Sequence, residues 1–131
     1  MEIIEIHRHK ITNYRTQLLL DSRIPQIIKE EEPTVYKQLT DRYGVHAVSI
    51  AEKQLTLYFI NNNWAAYLAA MEDIQNGIHL VIVGGKSPIN EYKKFAVNAF
   101  NEMMLDIRRD VVSYMQKCVI TENGIDMEKR D

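Results

Sequence analysis

The sequence predicts an all-α fold: a long antiparallel helical hairpin packed with an N-terminal helix and a short connecting helix. Apolar residues recur at intervals of three and four over long stretches, which is the period of an amphipathic helix. The three prolines and five glycines fall in clusters, not at the spacing of about 8–12 residues typical of all-β folds. The 131 residues, 46% of them hydrophobic, suit one domain or an elongated piece of a larger one.

The first predicted helix covers about residues 2–22. Its apolar seam, which includes one histidine, consists of Ile4, His7, Ile11, Tyr14 and Leu18. Pro25 is predicted to break or kink this helix, because proline lacks an amide donor and its ring collides with the preceding turn.

A short connecting helix is predicted to begin at Pro33, since proline is favoured in the first helical turn. It runs through Tyr36 and Leu39, and Gly44 is the predicted stop. The acidic residues 30–32 just before it are predicted to form a solvated turn, because nothing indicates the burial that would shift the pKa values of a catalytic carboxylate cluster.

The second long helix is predicted from about His46 and carries two apolar stripes, which favours contact with two neighbours. The first stripe comprises Val48, Ala51, Leu55 and Tyr58. The second comprises Leu57, Ile60, Trp64, Leu68, Met71 and Ile78. Because Trp64 lies on a dense stripe, we interpret it as a core anchor in preference to a ligand-binding residue.

The third long helix is predicted after Pro88, with an apolar stripe of Tyr92, Ala96, Phe100, Met103, Ile107, Val111, Tyr114 and Cys118. The two long helices, each about 45 Å long, are joined by a short connection and should form an antiparallel hairpin. Its predicted packing anchors are Trp64, Leu68, Met71, Tyr92 and Phe100. Such a hairpin should leave apolar surface for a partner to cover.

The end of the chain, residues 121–131, is charged and polar without periodicity, and is predicted to be a fraying, flexible tail. The predicted organisation is therefore a helical scaffold over residues 1–120, with the hairpin at about residues 46–118, followed by the tail. The single cysteine, Cys118, excludes an internal disulfide and is predicted to be a packed core thiol.

The connection between the long helices, GIHLVIVGGKSP, partly resembles a phosphate-binding loop. Gly85, Lys86 and Ser87 match the end of the Walker pattern, but its leading glycine is replaced by Leu80. Pro88 also removes one of the amides that such a loop directs at the phosphate. We therefore predict a turn between helices and no nucleotide site.

Other chemistry has little support. The net charge of −2 and pI near 6.1 give no overall footprint for nucleic acid. His7 and His9 point to different sides of a helix, and His46 and His79 have no companion at ligand spacing, so no metal site is predicted. The sequence shows neither a membrane span nor a secretory signal, which predicts a cytoplasmic protein.

The stretches WAAYLAAMEDIQNGIHL (64–80) and GGKSPINEYKKFAVNAFNEMM (84–104) resemble the C-terminal helical scaffold of SecA, the ATP-driven motor of bacterial preprotein export. The resemblance covers about residues 50–118, and the first helix resembles the end of the family's long scaffold helix more loosely. Val83 stands where housekeeping members usually place a tyrosine, and the Gly84-Gly85 form is similar to accessory SecA proteins. Only about 24 residues, from Asp21 to Gly44, lie where housekeeping members insert a helical wing, so the chain resembles a wingless type.

The resemblance implies that the hairpin is the family's two-helix finger, whose tip contacts the preprotein at the mouth of the SecY channel. The implied tip residues are Leu80, Val81, Ile82, Val83, Gly84, Gly85, Lys86 and Ser87. It also implies partners in the motor domains, the SecY channel and the preprotein, with peripheral association on the cytoplasmic face of the membrane. No cofactor is implied for this chain, whereas the parent protein would use ATP and Mg²⁺.

Two alternatives stay open at this stage. The first is a stand-alone helical adaptor or chaperone that holds unfolded polypeptides on its apolar stripes. The second is a small nucleotide-binding enzyme that uses Lys86. Since no complete Walker motif occurs in the sequence, we expect the chain alone to lack ATPase activity.

Overall fold

The computed structural model describes residues 2–21, 23–77 and 87–130 of the chain. It contains five helices and one small hairpin in these ranges: α1 (Glu2–Leu19), α2 (Ile27–Glu31), α3 (Pro33–Tyr43), α4 (Val45–Gly77), α5 (Pro88–Met115), β1 (Cys118–Thr121) and β2 (Gly124–Arg130). The all-α prediction is confirmed, since helices account for most of the described residues.

Helices α4 and α5 pack along their length and supply most of the core. Their buried apolar residues are Ala47, Val48, Ala51, Leu55, Ile60, Tyr67, Met71, Tyr92, Ala96, Phe100, Met103, Ile107, Val111 and Met115. The stripe predicted on α5 is therefore confirmed from Tyr92 to Val111. Tyr58, predicted on a stripe of α4, is half exposed instead.

Helix α1 packs on both long helices through His7, Ile11 and Leu18, as its seam predicted. It ends at Leu19, earlier than expected, and Asp21 follows with a left-handed φ of 56°. The helix therefore stops before the proline that was predicted to break it. Short polar side chains tolerate this conformation, so Asp21 suits the turn out of the helix.

The connecting segment contains one helix more than the sequence predicted. Helix α2 is only five residues long, and its Ile27 and Ile28 are buried against the rest of the fold. Helix α3 begins at Pro33 and is followed by Gly44, whose φ is 90° and whose N–H donates to the carbonyl of Thr40 at 2.9 Å. The prediction that Gly44 stops this helix is confirmed.

The prediction of a tail without regular structure is wrong for the segment after α5. Strands β1 and β2 pair antiparallel, with Ile120 opposite Ile125. Ile120 is 3% exposed, and the N–H of Ile125 donates to Oε1 of Gln54 on α4 at 2.8 Å. β-branched residues on both sides of an Asn-Gly pair favour a hairpin, so local propensity and burial on α4 both support the strands.

This hairpin also changes the place of Cys118. The sequence put it on the helical stripe of α5, but the helix ends at Met115 and Cys118 begins β1. Its side chain is buried at 5% exposure, which agrees with a packed core thiol.

Candidate functional site

The tip of the α4–α5 hairpin is the site that the sequence predicted. Seven of its eight predicted residues, at positions 80–86, and Ile78 of the predicted stripe lie outside the described residues. The eighth, Ser87, is the N-cap of α5, and its Oγ accepts a hydrogen bond from the backbone N–H of Asn90 at 3.4 Å. Pro88 follows in the first turn, so the chain enters a capped helix directly after the predicted tip.

The five predicted packing anchors contribute to the interior to different degrees. Met71, Tyr92 and Phe100 are buried, at 2%, 2% and 8% exposure. Trp64 and Leu68 are only partly buried and pack against the edge of the core. Trp64 therefore lies between core and surface, which leaves part of its ring available to a partner.

A set of stacked rings joins α1, α4 and α5 at the middle of the hairpin. His7 stacks on Phe100 with ring centroids 4.2 Å apart, and Phe100 meets Tyr67 edge to face at 6.0 Å. Tyr67 in turn stacks on Trp64 at 5.0 Å. We call His7, Tyr67, Phe100 and Trp64 the aromatic ladder, and it ties three helices into one unit.

A buried hydrogen bond between Nδ1 of His7 and the hydroxyl of Tyr67 completes the ladder. Burial, with a smaller contribution from Lys10, lowers the pKa of His7 below its ordinary value, which favours the neutral ring. Burial raises the pKa of Tyr67 to about 12 and keeps its proton in place. Nδ1 of the neutral imidazole and the Tyr67 hydroxyl therefore satisfy each other inside the core, and His7 is a packed part of the seam predicted for α1.

A buried carboxyl group lies near the base of the hairpin, and the sequence reasoning missed it. Glu52 on α4 is 3% exposed, and its Oε1 accepts a hydrogen bond from the N–H of Ile28 at 2.8 Å. Because Gln26, the N-cap of α2, makes no side-chain cap, Glu52 caps that helix from another element. The available signal was its spacing, since Glu52 lies four residues from Val48 and four from Thr56, and both of these are buried.

Burial raises the pKa of the Glu52 carboxyl to about 7, although the Ile28 N–H and the charge of Arg108 both act to lower it. Arg108 on α5 faces the same region. Its Nε lies 2.7 Å from Glu31 and its Nη2 lies 3.1 Å from Glu30. The acidic residues before Pro33 are exposed, as predicted, but two of them are ion-paired and hold α2 against α5.

Within the described ranges, no group of three or more His, Cys, Asp or Glu side chains is arranged to hold a metal ion. None of the helices in those ranges is both long and apolar enough to cross a membrane. What the described residues do provide is a rigid helical hairpin, clamped at its middle by rings and at its base by charged groups.

These features define a class of protein: a helical scaffold domain that supports a long two-helix projection. The chain belongs to the SecA wing and scaffold domain family, whose model matches residues 2–119. The match includes α1 to α5 and the start of β1, and therefore every residue of the aromatic ladder and the hairpin base.

Several curated relatives that share one name align with almost the whole chain. It is 25% identical over 96% of its length to "Protein translocase subunit SecA 2" of Thermobifida fusca, covering 16% of that protein. It is 28% identical over 97% of its length to the protein so named in Mycobacterium tuberculosis, covering 15%. It is 29% identical over 98% of its length to the protein so named in Mycolicibacterium smegmatis, covering 17% of that protein. The chain thus spans about one sixth of the length of these relatives, and no solved structure matches it.

Proposed function

We propose that this chain is the helical scaffold and two-helix finger of an accessory SecA motor ATPase, which exports preproteins through the SecY channel. The observation that carries the proposal is the antiparallel packing of α4 on α5 in a chain that matches the SecA wing and scaffold model over residues 2–119. The tip, at residues 80–87, contacts the preprotein, and the scaffold restrains the motor domains.

The accessory and wingless assignment belongs to the same proposal. The described residues between α1 and α4 form the short helices α2 and α3, and this short connection supports a type without an inserted helical wing. The three relatives described above are all SecA 2 proteins, which supports an accessory type. The parent protein supplies the ATP and Mg²⁺ sites, and this chain supplies the scaffold that holds the finger.

The hairpin is suited to transmit movement. Helix α4 is 33 residues long and α5 is 28, and the ladder and the base join them to the scaffold at two levels. Interfaces of this kind shift as units because packed cores are not continuously deformable. A change in the motor domains at the base would therefore reach the tip through rigid elements.

The proposal is tested by photocrosslinking in a chimaera, in which this chain replaces the matching segment of the M. smegmatis SecA 2 protein. A benzophenone amino acid at position 83 is expected to crosslink to a translocating preprotein in SecY-containing membrane vesicles with ATP. The same probe at Gln38, an exposed position on α3, is the matched control and should give no such product.

Equal crosslinking from both positions, or none from position 83, would contradict the proposal. The adaptor hypothesis makes a different prediction for the isolated chain. It would be favoured if the chain bound denatured polypeptide equally well before and after Val81, Ile82 and Val83 are changed to serine. Purified chain that hydrolysed ATP would contradict both.

A further inference from the structure

A groove of about 240 Å³ lies between α1 and α4, next to the aromatic ladder, with which it shares Trp64. Arg8, Ile11, Arg15, Ile60 and Trp64 line it, and we call it the arginine–tryptophan groove. Within the described ranges, its lining residues belong to α1 and to the part of α4 from Ile60 to Trp64.

The groove has an apolar floor and basic walls. Ile11 and Ile60 form the floor, at 4% and 1% exposure. Arg8 and Arg15 are exposed and lie seven residues apart, so they stand on the same face of α1. Arg8 has one ionic contact, with Nε 3.3 Å from Glu5, and such exposed pairs contribute little stability.

The tryptophan in the wall is held in place before any partner arrives. Its ring stacks on Tyr67, which is 4% exposed and hydrogen-bonded to His7. The guanidinium of Arg8 also lies over this ring, 5.6 Å from the Trp64 ring centroid. Tryptophan and arginine are enriched among residues that dominate binding energy, and a fixed side chain loses less entropy on binding.

We propose that the arginine–tryptophan groove docks an acidic segment from another part of the SecA-type protein, an inference that rests on the proposed function. A carboxylate of that segment pairs with Arg8 and Arg15, and a neighbouring apolar side chain packs on the exposed part of Trp64. Charge complementarity selects an acidic partner, because two arginines face one glutamate along this stripe of α1. The chain covers only 15–17% of the relatives, and we place the acidic segment in the part of such a protein outside the match.

Trp64 is the only tryptophan in the sequence, so a single label reports on the groove. The full chain, labelled with 5-fluorotryptophan, gives one ¹⁹F resonance, and the unlabelled partner gives none. The partner is the M. smegmatis SecA 2 protein with its matching segment deleted. Binding is expected to shift that resonance, and the double variant Arg8→Ala/Arg15→Ala should raise the Kd at least tenfold. Raising NaCl from about 0.1 to 0.5 M should weaken binding of the unmodified chain more than binding of the variant.

The matched control is Lys10→Ala, which removes an exposed charge from α1 outside the groove and should leave the Kd unchanged. If the partner binds the double variant within twofold of the unmodified chain, the groove inference is overturned and the proposed function stands. If the partner binds none of the three chains, the proposed function is contradicted and the inference falls with it. A shift produced by unfolded preprotein but not by the motor protein would also overturn the inference.

Discussion

The middle and the base of the hairpin are both joined to the rest of the scaffold, but by opposite chemistry. At the middle, neutral rings pack against one another, and a neutral His7 is hydrogen-bonded to Tyr67. At the base, the carboxyl of Glu52 caps α2 while Arg108 pairs with two glutamates. The comparison shows that one long hairpin is fixed by packing at one level and by charge at another.

The two levels respond to pH in opposite directions. The pKa of His7 is lowered on folding, so its contribution to stability is present above its ordinary value of 6.5 and is lost as the pH falls through the lowered value. The pKa of Glu52 is raised, so its contribution is present below 4.5 and is lost as the pH rises through about 7. Near neutral pH the contribution of His7 to stability is therefore present, while ionisation of the buried Glu52 carboxyl destabilises the base.

The largest expected effect comes from breaking the middle. Phe100→Ala removes a buried ring that stacks on His7 and meets Tyr67 edge to face, and should lower the free energy of unfolding by about 3–5 kcal/mol. Urea denaturation followed by far-ultraviolet circular dichroism measures the loss. Phe95→Ala on the same helix is the control, because Phe95 is 47% exposed and its removal should cost less than about 0.5 kcal/mol. Similar losses for both variants would disprove the packing role.

An intermediate effect of opposite sign is expected at the base. Glu52→Gln keeps an acceptor for the Ile28 N–H but carries no charge, so it should stabilise the chain at pH 8. The shift from 4.5 to about 7 sets the upper limit of that gain at roughly 3 kcal/mol. Thermal unfolding at pH 5 and pH 8 measures it, and the gain should shrink at pH 5. A variant that is less stable than the unmodified chain at pH 8 would show that the charged form is the one that stabilises the base.

The smallest effect is expected from the ion pairs of the base. Arg108→Met should cost less than about 1 kcal/mol, because Glu30 and Glu31 are largely exposed and water screens the pairs. The loss should shrink further at high salt. Arg109→Met is the comparison variant, because the ion pair of Arg109 with Asp106 lies within α5 and joins no second helix. Urea denaturation at low and high salt distinguishes the two, and a loss at Arg108 that ignores salt would indicate packing by its aliphatic stem instead.

The sequence predicts the long helices well because their apolar stripes are dense and local signals mark their ends. Gly44 and Pro88 lie at element boundaries, as expected. The burial of Glu52 was not predictable in this way, since it depends on α2, a five-residue helix without a periodic pattern. The β-hairpin was missed because its segment is charged and polar without periodicity, and its contact with Gln54 is made across 71 residues. Long-range contacts of this kind leave no local trace in the sequence.

Two attachments to α4 lie within one turn of each other at the base of the hairpin. Glu52 holds α2, and Gln54 holds β2 through the N–H of Ile125. Gly124 packs so closely that a Cβ there would collide with Oε1 of Gln54, so any larger residue would loosen this attachment. From Gln54 to Gly77 the helix forms a lever arm of about 35 Å, at about 1.5 Å per residue. If the hairpin and α1 tilted together by about 5° about this level, the end of α4 would move by about 3 Å, roughly the length of one residue of extended polypeptide.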